Sequence, residues 1–143
     1  MPVTIDINAI VDTLLAGSAV AAVASAVEKP ALFTPDHTPA LRMACRDALR
    51  QLALQLAPYL ETVSLDGDSP SFEFCSDLRL PPAAVATMMS DIVASRVLHL
   101  MHAATYPSLS AAYARQAADS LAAIHRMIIS AAMPRCLKIA PNG

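Results

Sequence analysis

Glycine is almost missing from this chain: Gly17, Gly67 and Gly143 are the only three in 143 residues. Few backbone positions can take a positive φ without strain, which argues against a turn-rich all-β fold. The same shortage excludes the G-x-G-x-x-G and Walker phosphate loops, which need glycines where backbone meets phosphate. No G-x-S-x-G elbow occurs, although serine is common. Tryptophan is absent and aromatic residues make up 4%, little for stacking on bases. Charged residues make up 15%, against ~25% in an average domain. The net charge of −2 and a pI near 6.0 give no global pull toward nucleic acid or acidic lipid. Cys45, Cys75 and Cys136 are odd in number, far apart and without a C-x-x-C pair. They read as free thiols in a reducing compartment.

Long hydrophobic runs are also lacking. The most lipid-like stretch, Thr13 to Val27, has 15 residues, mostly Ala and small side chains, short of the ~20 that span a bilayer. Ile92 to Met101 carries Arg96 and His99. The first ten residues hold Asp6 and no Lys or Arg, unlike the basic start of a signal peptide. The expectation is a cytoplasmic protein with no membrane segment.

What is present is apolar: 55% of residues even without glycine, above the ~45–50% typical with glycine included. Much of this is Ala, the best helix former. A length of 143 residues suits one domain. An apolar excess on a small chain implies a surface that associates.

The pattern predicts a mainly α fold, a four-helix bundle-like domain over residues 1–133, with one β-hairpin inserted between helices 2 and 3. Val3 to Ile7 alternates as a short extended arm, and Asn8 suits the N-cap of helix 1. Ile10, Val11, Leu14, Leu15, Val20, Val23 and Val27 keep helical spacing. Gly17-Ser18 is a point of bending, and Lys29-Pro30 ends the helix. After a proline-containing loop over 31–39, Thr38 and Pro39 suit the N-cap and first position of helix 2. Leu41, Cys45, Ala48, Leu49, Leu52, Leu56 and Tyr59 form its apolar face, with Arg42, Arg46 and Arg50 on the other side. From about 62 to 80 the period changes to two on either side of Asp66-Gly67-Asp68-Ser69-Pro70, which reads as a hairpin. Pro81-Pro82 opens helix 3, which is apolar almost all round and therefore central, and which ends near Tyr106-Pro107. Ser108 suits the cap of helix 4. Its line Ala114, Ala117, Leu121, Ile124, Ile128 and Ala131 is a close-packing seam. Residues 134–143 read as an extended or disordered tail.

The chemistry-bearing groups are few. His99 and His102, three apart on helix 3, could take a metal if His125 joined them, but no H-E-x-x-H or Cys/His cluster supports this. Arg42, Arg46 and Arg50 form a like-charge ridge, suited to phosphate, nucleic acid or an acidic partner, although Asp47 interrupts it. Asp66, Asp68 and Glu73 lack the full calcium-loop pattern. Five of the seven methionines, Met88, Met89, Met101, Met127 and Met133, fit core packing or an adaptable groove.

The run Tyr106-Pro107-Ser108-Leu109, then Ala111-Ala112-Tyr113, Ala117, Leu121 and Ile124, resembles the helical pair of small head–tail connector (neck) proteins of tailed phages. The resemblance covers about a third of the chain. It implies a ring-forming structural protein without catalytic residues, virion-associated if phage-derived.

The expected function is thus a non-enzymatic, self-associating structural or assembly protein, with no cofactor. Its expected partners are further copies of itself and other structural proteins. The expected contact surfaces are the apolar side of helix 1 and the strand bearing Phe72 and Phe74, with the Arg ridge a further one. Two alternatives stand beside it: a ligand- or metal-binding bundle on the histidines, and a binder of nucleic acid or an acidic partner through Arg42, Arg46 and Arg50.

Overall fold

The computed structural model describes residues 2–24 and 35–139. Among the described residues the chain is mainly helical, with one small antiparallel sheet. Its elements run β1 (Pro2–Thr4), α1 (Ile7–Ala24), a 3-10 turn (Pro35–His37), α2 (Thr38–Leu56), a second 3-10 turn (Ala57–Tyr59), β2 (Leu60–Ser64), β3 (Ser71–Phe74), α3 (Pro82–His102) and α4 (Pro107–Ile139).

The sheet has the order β1-β3-β2. The expected hairpin is β2-β3, but the N-terminal arm adds a third strand by pairing Val3 with Phe72. An isolated hairpin is marginal in water, so this strand, together with the helices beneath, supplies what a hairpin alone lacks. The alternation read through to Leu80 stops as a strand at Phe74. Beyond it the backbone turns, with the Leu78 N–H donating to the Cys75 carbonyl at 3.0 Å. Leu80 nevertheless stays in the core, although Ser76, next in phase after Phe74, is exposed, so the period of two ends with the ladder and Leu80 is buried by the turn that follows.

Helix α1 starts one residue earlier than its expected cap. Asp6, not Asn8, caps it: its Oδ1 accepts from the Ala9 N–H at 3.2 Å. Asn8 instead lies inside the first turn and accepts from Arg42 Nη2 at 2.6 Å. Ile7, Ile10, Val11 and Leu14 are buried at helical spacing. The helix runs unbroken through Gly17-Ser18 to Ala24. Its expected end at Lys29-Pro30, and the loop up to residue 34, lie outside the described residues.

In α2 the expected apolar face is the buried one: Leu41, Cys45, Ala48, Leu49, Leu52 and Leu56. The cap position falls to His37, with no side-chain cap bond, and Thr38 and Pro39 are the first two helical residues. Proline is tolerated there because the first N–H groups have no helical partner.

Helix α3 is central, packing against α4, α2, α1 and β1. Val85, Met89, Ile92, Val93 and Val97 on it are fully enclosed. Its 21 residues and a mean hydropathy of 1.2 suffice, by length and composition, to cross a membrane, a property that core helices share. It ends at His102 rather than at Tyr106, and a short turn leads into α4. That turn is closed by the Tyr106 N–H donating to the His102 carbonyl at 2.8 Å. The α4 seam behaves as expected: Ala117, Ile124 and Ile128 are buried. The helix does not stop where a tail was expected at residue 134, but continues through Pro134 to Ile139.

Candidate functional site

The three histidines considered as ligands have separate surroundings. Ser110 Oγ lies 2.8 Å from the His99 carbonyl oxygen and 2.7 Å from His99 Nδ1. One hydroxyl proton serves one acceptor, so the hydroxyl donates to the carbonyl, and Nδ1–H faces two acceptors, Oγ and the Ser110 carbonyl oxygen at 3.0 Å. This ties α3 to the start of α4. His102 packs between Tyr106 and Tyr113, each ring 6.0 Å away. Burial lowers its pKa from the ordinary 6.5, because a charged imidazole is poorly solvated there. His125 meets Tyr59 edge-on at 6.0 Å. Among the described residues, no group of three or more His, Cys, Asp and Glu side chains is placed to hold a metal ion.

The three arginines of α2 are each engaged within the chain. Arg42 reaches Asn8, and Arg46 Nη2 reaches Asp68 Oδ1 at 3.2 Å, with Arg42 Nη1 at 3.9 Å from the same oxygen. Arg50 Nη1 bonds Asp47 Oδ1 at 2.9 Å. The ridge therefore has two parts. Arg42 and Arg46 are half-buried and clamp the tip of the β2-β3 turn to α2. Arg50 and Asp47 stand out in solvent as an ion pair one helical turn apart. Neither Asp68 nor Asp47 was read from the sequence as a partner, although Asp47 is the i−3 neighbour of Arg50, a spacing that puts two side chains together.

Phe72 and Phe74 are not a contact surface. Both are completely enclosed, on the face of β3 that lies against the helices. Their spacing of two is the period of a strand with one buried face, and that face is covered by this chain's own α-helices. The described part of the apolar side of α1 is likewise internal.

Among the described residues, the large apolar side chains that are exposed lie elsewhere: Met43 and Leu54 on α2, Leu100 on α3, Ile129 on α4 and Val63 on β2. Met43 is 67% exposed and Leu54 77%. They lie three turns apart on the same side of α2, with Asp47 and Arg50 between them. Two clefts adjoin this line. One, of about 430 Å³, is bounded by Pro39, Arg42, Met43 and Arg46. The other, of about 440 Å³, lies where α2 meets α3 and α4, and has Gln51, Gln55, Arg96, Leu100 and Leu121 in its walls. Arg96 donates through Nη2 to Gln55 Oε1 across this second cleft. The sequence carried the signal for this surface, since residues 43 and 54 fall off the apolar face that runs from Leu41 to Leu56.

No protein-family model matches the chain, and no curated protein or solved structure was found to be similar to it. The arrangement has a covered core, histidines engaged one by one, and an α2 face with apolar ends and a charged middle.

Proposed function

We propose that this protein is a non-enzymatic, self-associating structural or assembly protein that works in the cytoplasm. A head–tail connector-like component of a tailed phage or prophage is the specific form suggested by the resemblance of its last two helices. The observation that carries the reading is the exposure of Met43, Leu54 and Leu100 on neighbouring helices. Each large apolar side chain taken out of water contributes about 1.5–3 kcal/mol, so a surface holding several favours a partner. Among the described residues β2 is an edge strand of the sheet, which adds to this. All five of its side chains are at least partly exposed, and an open strand edge pairs readily with other chains.

The test is absolute mass by light scattering coupled to size exclusion, over a concentration series. A discrete oligomer is the expected result. A monomer at every concentration overturns self-association, whereas closed multiples larger than a dimer favour the ring-forming connector form.

A further inference from the structure

We infer that the exposed face of α2 is a two-fold contact between two copies of this chain, with the two α2 helices antiparallel. This rests on the self-association reading above and names its surface.

The order of side chains along the helix is the starting point. Met43, Asp47, Arg50 and Leu54 follow one another at steps of four, three and four, so they form one line on the helix surface. Reading from either end gives the same sequence of characters except for the sign of the charge: apolar, charged, oppositely charged, apolar. Such a line is complementary to its own reverse. When a second α2 is laid antiparallel about a point between Ala48 and Leu49, Met43 meets the partner's Leu54 and Asp47 meets the partner's Arg50. The same contacts recur on the other side of the axis, as an isologous interface requires. Two carboxylates and two guanidiniums then alternate around the axis, each with an opposite charge as its nearest neighbours. A parallel arrangement would set Asp47 against Asp47 and Arg50 against Arg50, which opposes association.

The relief of the surface agrees with this placement. The cleft beside Met43 and Arg46 is a groove for the partner's Leu54. On the opposite flank, the cleft walled by Gln51, Gln55 and Leu100 is a groove for the partner's Met43. Ridges of one helix seated in the grooves of another are the ordinary way helices meet. Leu100, itself 60% exposed, becomes covered by the same act. Asp47 and Arg50 are already paired within the chain at 2.9 Å, so the charges meet the partner pre-positioned. A contact built on one helix stripe is smaller than the roughly 800 Å² per partner of a standard interface. A weak, concentration-dependent dimer is the form expected of so small a contact.

The experiment uses the full chain and three variants, Leu54→Glu, Asp47→Arg and Arg50→Asp, with mass measured by sedimentation or light scattering over a concentration series. Circular dichroism verifies that each remains helical, which exposed positions allow. Each variant alone is expected to shift dimer dissociation by tenfold or more toward monomer. The decisive arm mixes Asp47→Arg chains with Arg50→Asp chains. Each kind repels itself, but together their charges are complementary, so a mixed dimer is expected. Recovery on mixing supports the antiparallel contact, since damage to the fold would not be repaired by a second damaged chain. If the natural chain associates and all three variants leave its mass unchanged, the α2 contact is overturned while self-association stands. An odd-numbered oligomer overturns the two-fold contact as well. If the natural chain is a monomer throughout, both fall.

Discussion

Phe72 and Phe74 show how a single side chain decides between surface and core. Both have no exposed area, and each belongs to the core that β3 shares with the helices. Phe74→Ala should lower unfolding free energy by about 3–5 kcal/mol, the usual result of emptying a buried aromatic site, as measured by urea titration. A residue at an association surface would instead leave monomer stability near its natural value. The cysteines can be told apart in the same way. Burial pushes the Cys45 thiol up to about 11, leaving almost no thiolate at neutral pH, whereas Cys75 is half-buried beside the sheet. Alkylation of the native chain, mapped by peptide mass, should therefore label Cys75 well before Cys45, and unfolding should abolish the difference. His102 supplies a pH dependence. Its folded pKa is lowered, so the fold favours the neutral ring. The associated stability is present above 6.5 and is lost as pH falls below it. His102→Gln should flatten the acid side of the stability profile, measured by thermal unfolding from neutral to mildly acidic pH.

At the scale of elements, small polar devices fix where helices and turns begin. Asp6 caps α1 through the Ala9 N–H and sits where the helix dipole favours a carboxylate. Asp6→Ala should cost about 0.5–2 kcal/mol, read from the shift in denaturation midpoint. By contrast the Asp68 clamp on Arg42 and Arg46 is about half exposed, so water screens it and Asp68→Asn should cost under about 1 kcal/mol. Gly67 lies between these devices, with φ of +73° in the β2-β3 turn. The element types were legible in the sequence because long periodic runs of apolar residues declare a helix or strand with little help from context. Their limits were not. The cap of α1 lies two residues before the expected Asn8, since Asn8 and Asp6 are equally good capping types and only the path of the preceding strand chooses between them. The alternation of Val3 to Ile7 marks an extended arm, but a period of two does not say which strand it pairs with, so the ladder of Pro2–Thr4 with β3 is not legible in it.

At the scale of the molecule, the core was the readable part and the surface was not. Burial repeats along a helix, so Leu41 to Leu56 announced their face. A contact between copies depends on what is left over after the core is satisfied: Met43 and Leu54 already fall off the apolar face of α2 in the sequence, but Leu100, on a helix apolar almost all round, becomes visible only when the packing of α2, α3 and α4 is known. The same contrast provides a thermodynamic test. If folding and association are linked, mass action makes the melting temperature depend on protein concentration. Each tenfold increase in concentration changes the free energy of a dimer by about 1.4 kcal/mol. Spread over the unfolding entropy of two chains of this length, that raises the melting temperature by about 2–4 °C. Scanning calorimetry of the natural chain above its dissociation constant should show this slope, while Leu54→Glu should melt at one temperature at all concentrations. The natural chain at low concentration should then converge on the variant, because a dimer diluted to monomers keeps only the stability of its own core. Convergence would assign the extra stability to the contact between copies, and a constant gap between the two curves would assign it to packing within one chain.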